Sequence, residues 1–152
     1  MEPIPEIKDD KYYKNLDEQL LKNSLCGHKE EIIKLINKGA NIEAVDSGGN
    51  TALFQSIIGW SEECFPVLLS LEKDLERKNN MNEALIHKVV ESDKKHLLRL
   101  LLEKGASTEV MDSHSNTALH KCKSVEIAKL LLEYDANIEF KNEDGRTPLH
   151  ST

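Results

Sequence analysis

The sequence predicts an all-α repeat solenoid, a row of helix-turn-helix units each stacked on the next. Two sets of landmarks point to it. Thr51-Ala52-Leu53-Phe54 is echoed by Ala84-Leu85-Ile86-His87, Thr117-Ala118-Leu119-His120 and Thr147-Pro148-Leu149-His150, at steps of 33, 33 and 30 residues. Asn41-Ile42-Glu43 returns as Asp74-Leu75-Glu76, Ser107-Thr108-Glu109 and Asn137-Ile138-Glu139 at the same steps. A third observation is the Leu- and Ile-rich stretch in each period, such as Leu97 to Leu102. A helix pair of this length cannot bury its apolar face alone, so neighbouring copies must cover it.

The repeated residues resemble the ankyrin repeat. Asp144-Gly145-Arg146-Thr147-Pro148-Leu149-His150 copies that family's opening, and Leu100-Leu101-Leu102-Glu103-Lys104-Gly105-Ala106 copies its ending. The likeness runs from about Leu16 to His150. It implies first and second helices joined by β-hairpin-like turns. It also implies that the motif histidines, His87, His120 and His150, hydrogen-bond across to the adjoining turn. Phe54 departs from that pattern.

Taken in order, residues 1–11 carry Pro3, Pro5 and a cluster of charges, and read as a flexible tail. The ankyrin domain then runs over 12–152, with repeats at roughly 16–48, 49–81, 82–114 and 115–144 and a partial copy at 145–152. The first unit has Tyr13, Leu16, Leu20 and Leu21 at helical spacing, then a second helix from Glu30 to Lys38 closed by Gly39. Its outer face is charged, as an end repeat requires. The second unit pairs Thr51–Ile58 with Ser61–Ser70, Ser61 serving as N-cap. It is irregular, with Pro66 near a helix start and Glu72-Lys73 in place of Gly-Ala. The third unit has helices at Ala84–Glu91 and His96–Lys104. Asn82 and Ser115 occupy turn positions where glycine is the usual residue, and Asn tolerates the left-handed region there. The fourth unit lacks three residues between Leu119 and Val125, so its first helix or the turn after it must be short. Its second helix runs from Val125 to Glu133. Only six residues from Thr147 onward are left to cover this repeat, which predicts partial exposure of Leu130 and Leu131.

The chain has 20 basic and 27 acidic residues, a net charge of -7. That balance argues against nucleic acid, which needs a clustered basic face. No run of 18 apolar residues exists to insert in a membrane, and the N-terminus MEPIPEIKDD does not read as a secretory leader. Cys26, Cys64 and Cys122 are odd in number and widely spaced, which fits reduced thiols in a cytoplasmic or nuclear compartment rather than a secreted protein. No G-x-x-x-x-G-K-[ST], G-x-S-x-G or H-E-x-x-H motif occurs, and nothing points to catalysis, a metal or a cofactor.

What remains is binding to another protein. The residues free of stacking duty are the turn tips Ser47, Gly48, Asn80, Met81, Ser113 and His114. With them go Asn50, Glu83 and Asn116, just before each motif, and Ile58 at the far end of a first helix. Large aromatics dominate binding hot spots, so Trp60 is either part of this surface or packed over the irregular second helix. Both readings stand. The row Glu43, Glu76, Glu109 and Glu139 is either a negative stripe for a basic partner or a set of solvated residues multiplied by duplication. The resemblance implies an interaction module that occludes its partner, with a tethering segment of a larger multidomain protein as the alternative. An apolar centre with an acidic rim predicts a partner carrying basic residues around a hydrophobic patch.

Overall fold

The computed structural model describes residues 9–59 and 62–151, the side chains of His150 and Ser151 excepted. Eight helices follow in order: α1 (Asp10–Cys26), α2 (Lys29–Asn37), α3 (Ala52–Ile58), α4 (Cys64–Leu71), α5 (Leu85–Glu91), α6 (Lys95–Glu103), α7 (Ala118–Lys121) and α8 (Val125–Glu133). A 3-10 turn over Pro148–Ser151 closes the array. The first helices of the units, α1, α3, α5 and α7, pack in sequence to form one layer. The second helices α4, α6 and α8 form the other, and α2 is paired with α1. Between the layers runs one core with Leu20, Ile32, Ile57, Phe65, Val89, Leu98, Leu101 and Ile127 wholly buried.

The period of the sequence becomes this two-layer stack because each Leu/Ile row lies on one face of its helix. In α6, Leu97, Leu98, Leu101 and Leu102 are buried while His96 and Arg99 face solvent. That is the i, i+3, i+4 stripe of a core-facing helix. Asn82 and Ser115 both adopt φ near 60° in their turns, as their positions demand. Gly49 has the same left-handed conformation, and there a side chain has no room either: a Cβ would lie 2.9 Å from the Asn80 amide nitrogen.

Several expectations shift. Asp10 and Lys11 lie in α1 rather than in the tail, because Asp9 caps the helix by accepting the Tyr12 N–H at 3.0 Å. The remainder of the tail, residues 1–8, lies outside the described residues. Helix α4 begins at Cys64, three residues later than expected, and Ser61 and Trp60 lie outside the described residues. The later start places Pro66 in the first turn, where its missing N–H costs no helical bond. The absent Gly-Ala terminator is replaced from a neighbour: the Leu69 carbonyl accepts both the Glu72 N–H and the Lys104 ammonium. Lys94 does the same for α3, donating to the Ile57 carbonyl at 2.6 Å. Both cations sit at helix C-termini, where the helix dipole favours them.

The missing three residues of the fourth unit shorten α7 to a single turn. Leu130 and Leu131 are nevertheless buried, contrary to expectation, since they point back at the third unit's layer. The uncovered residues are Leu132 (45% exposed), Ile138 and Leu149. One turn of helix and an open last face leave little to resist local opening. Amides after Ser115 are expected to exchange with solvent faster than those of residues 84–105. Uniform protection along the array would contradict this.

Candidate functional site

The surface left for a partner is set by how the turns are built. Each opens on an Asp or Asn whose side-chain oxygen accepts two backbone N–H groups. Asp46 holds Gly48 and Asn50, Asn79 holds Met81 and Glu83, Asp112 holds His114 and Asn116, and Asn142 holds Asp144 and Arg146, all within 2.8–3.1 Å. A backbone bond closes each loop, such as Asn79 N to Glu83 O at 3.0 Å. This Asx geometry is why only Asp or Asn serves there. The row was visible as Asp46, Asn79, Asp112 and Asn142 at the period of the other landmarks, but it read as generic turn chemistry.

Successive hairpins are also tied to each other. The Asn79 amide donates to Asn50 Oδ1 at 2.9 Å, and the Asn142 amide to Asn116 Oδ1 at 2.9 Å. Between them the equivalent pair is Glu83 and Asp112, two carboxylates that cannot bond each other. Lys121 lies between them, 3.7 Å from Glu83 and 3.2 Å from Asp112, and 2.7 Å from Glu91. Lys88 adds contacts of 3.9 Å to Glu83 and 3.7 Å to Glu91. Burial alone would push the Asp112 carboxyl up. The N–H groups of Asn116 and His114, the Asn116 amide and Lys121 outweigh it and bring the group down to about 2. Lys121 is likewise lowered by burial but raised overall by Glu91 and Asp112.

The motif histidines cross the same junctions. His87 Nδ1 accepts the Ala84 N–H at 3.0 Å, which fixes the proton on Nε2. That N–H then points at the Val110 and Asn116 carbonyls, 2.9 and 3.1 Å away. His120 repeats the arrangement, accepting from Thr117 and reaching the Arg146 carbonyl at 2.9 Å. The Thr117 hydroxyl therefore binds His120 Nδ1 at 2.9 Å instead of capping α7, whereas the Thr51 hydroxyl accepts the Phe54 N–H at 3.5 Å. The side chain of His150 is outside the described residues.

These ties reassign several expected tip residues. Glu83 is buried in the Lys88–Lys121 cluster, and Asn50 and Asn116 are half-buried partners of the next hairpin. Asn80 is spent on the preceding tip: its amide and backbone N–H donate to the Ser47 and Gly48 carbonyls at 3.0 and 2.9 Å. The His114 carbonyl accepts the Glu143 N–H in the same way. None of these four side chains, Glu83, Asn50, Asn116 and Asn80, is the idle surface residue its position suggested. Asn80 stays exposed despite its bonds, and the exposed side chains without such a tie to a neighbouring hairpin are Ser47, Ser113, His114, Ile58 (49%) and Met81 (68%).

The Glu row is not uniform either. Glu43 pairs with Arg77 at 3.5 Å, and the half-buried Glu109 accepts the Asn137 N–H at 2.8 Å, leaving Glu76 and Glu139 exposed. A groove of about 520 Å³ runs along the ends of the first helices, with Ile58, Lys88, Glu91, Ser92, Lys121 and Lys123 on its walls. Its rim is rich in lysine, not acid. Burial pushes the Cys64 and Cys122 thiols up, away from the reactive thiolate form. Among the described residues no cluster of three His, Cys, Asp or Glu is placed to hold a metal ion.

Residues 86–151 match the family model for ankyrin repeats in three copies. The chain belongs to the ankyrin repeat family. It is 31% identical over 129 residues to the nuclear factor NF-kappa-B p105 subunit of Gallus gallus, an alignment covering 80% of this chain and 13% of that protein. It is 30% identical over 125 residues to the B-cell lymphoma 3 protein homolog of Mus musculus, covering 77% of this chain and 28% of that one. A third relative, the putative ankyrin repeat protein FPV233 of Fowlpox virus (strain NVSL), is 37% identical over 79 residues, covering 49% and 15%. The chain thus spans less than a third of the length of these curated relatives. Ankyrin repeats are a general protein–protein interaction module. No helix among the described residues is long and apolar enough to cross a membrane.

Proposed function

We propose that this ankyrin array is a non-catalytic module that binds a partner protein along its hairpin tips and first-helix face, acting by occlusion. The observation that carries the reading is the pair Ile58 and Met81, both about half or more exposed on the side where the fold makes no use of them. Ser47, Ser113, His114 and Trp60 complete the proposed surface. Three thiols without a disulfide fit a reducing cytoplasmic or nuclear setting. The test is affinity purification from the native source with wild type, Met81→Asp and Ile58→Asp. Each variant is expected to lose the partner while its stability stays within about 0.5 kcal/mol of wild type. Normal capture by both, with loss on charge reversal at Lys95 and Arg99 of α6, would place the site on the opposite face.

A second reading, a tethering segment within a longer protein, is favoured by the face beyond α8. Leu132 is 45% exposed where its counterparts Leu102 and Leu69 are 3% and 5%, and Leu149 is 79% exposed where Leu119 is 6%. Together with Ile138 and Pro148 they line an apolar groove of about 390 Å³. Leu132→Glu is expected to leave the melting point of this chain unchanged. If the variant destabilises the chain as a core substitution does, that face is already covered and the reading falls.

A further inference from the structure

We propose that the groove at Ile58 takes an acidic segment of the partner, an Asp or Glu carboxylate resting on Lys88 and Lys123 beside an aliphatic or aromatic side chain on Ile58. The inference rests on the reading that this chain binds a protein, and adds the chemistry of what is bound. The groove is layered by charge. Two of its three carboxylates, Asp112 and Glu83, lie beneath, their side chains only 5% and 10% exposed, while the third, Glu91, lines the wall at 32% and is bound to Lys121. Its ammonium groups lie above them.

The three lysines are not equally occupied. Lys121 is committed, with a hydrogen bond of 2.7 Å to Glu91 and 16% of its side chain exposed. Lys88, its side chain 27% exposed, sits 3.7 and 3.9 Å from its carboxylates, too far for a hydrogen bond. Lys123 is exposed, and no described residue pairs with it. Two cationic donors therefore stand open around one exposed aliphatic side chain. Carboxylate oxygens match them through charge-assisted hydrogen bonds, and an apolar neighbour is required to cover Ile58. A long polyanion fits worse: the whole chain carries a net charge of -7, which repels any ligand larger than the groove. A short acidic and apolar peptide segment meets the local chemistry without meeting the global charge.

The probe is a random dodecapeptide library displayed on phage, selected on the wild-type protein at moderate salt. Enriched sequences are expected to carry Asp or Glu within a few residues of Leu, Ile, Phe or Trp, and to bind more weakly as salt rises. Lys123→Glu should weaken them about threefold or more, and Ile58→Asp at least about tenfold. A peptide in which Lys replaces the acid should regain binding to Lys123→Glu. Enriched peptides that are basic or uncharged, or that ignore both substitutions, would overturn the proposal. So would a single-stranded oligonucleotide whose binding depends on Lys123. Peptides lost on Met81→Asp but indifferent to the groove would sink this inference while leaving the protein-binding reading intact. Dependence only on Lys95 or Arg99 would sink both.

Discussion

His87→Ala is expected to lower the unfolding free energy by about 3 kcal/mol, one of the two largest effects of any single polar substitution in this chain. The imidazole is fully buried and satisfies the Ala84 N–H within its own helix start and the Val110 carbonyl in the next hairpin. Removing it leaves buried backbone groups without partners, at about 1–3 kcal/mol for each such loss, and opens a cavity besides. The Asn116 carbonyl keeps the Asp112 N–H and is not orphaned. For a chain of this size the midpoint of thermal melting should fall by roughly 6–12 °C. His114→Ala, at an exposed tip, should move it by no more than about 0.5 kcal/mol. His87→Phe, the residue found at the equivalent position 54, separates volume from hydrogen bonding. If it melts like wild type, the ring's bonds are not what holds the junction.

The same residue gives a pH dependence. Burial, then the Lys121 charge, hold the His87 imidazolium below the usual histidine range. Its folded pKa is depressed, so its contribution is present above the unfolded value of about 6.5 and is lost as pH falls toward the folded one. The wild type should therefore weaken on acidification below about pH 6.5, and His87→Phe should show less of that loss.

Lys121→Met is expected to cost about 2 kcal/mol, through the three carboxylates it leaves behind. Removing one partner of a wholly buried pair costs about 3–5 kcal/mol; here Glu91 and part of the lysine reach solvent, which softens the loss. Much of the acid limb moves with it. Asp112, held down at about 2 against an ordinary 3.8, contributes stability that is complete above about pH 5 and disappears as pH falls through the folded value. Lys121, raised in the fold, contributes below its unfolded value and would be lost only in strong alkali. The decisive comparison is Lys121→Met with and without Asp112→Asn. An amide at position 112 can donate to Glu83 as Asn79 donates to Asn50, so the double variant should recover part of the loss. Simple additivity of the two substitutions would show that Glu83 and Asp112 are not coupled.

The architecture was open to reading because it is written in a period. The motif steps gave the units, the Leu and Ile spacing gave the second helices, and Asn82 and Ser115 announced their left-handed turns. The three-residue gap after Leu119 announced the one-turn α7. The surface was harder, for a physical reason. Glu83 carries a charge and precedes the motif, so it reads as solvated. Only the third dimension brings Lys121 from 38 positions away to neutralise it. Asn50 and Asn116 were misjudged in the same way, since the amide that engages each one belongs to the following hairpin. Ile58 and Met81 are exposed as their positions suggest, since exposure of an apolar side chain needs no partner to explain it.

The carboxylate pair at Glu83 and Asp112 also decides how such an array can be recombined. With the units cut from turn to turn, the second as 46–78 and the third as 79–111, duplicating the third would set the copy's Asn79 beside Glu83, an amide facing an acid, and that junction would close. Deleting the unit would set Asp112 beside Asn50, again amide against acid. Exchanging the second and third units is different. It would bring Asp46 against Glu83 with Gln55, neutral, at the place Lys121 now fills. Copies of this ankyrin array can thus be gained or lost by unequal crossing-over without chemical offence, but whatever follows the third unit must bring a lysine or an amide with it.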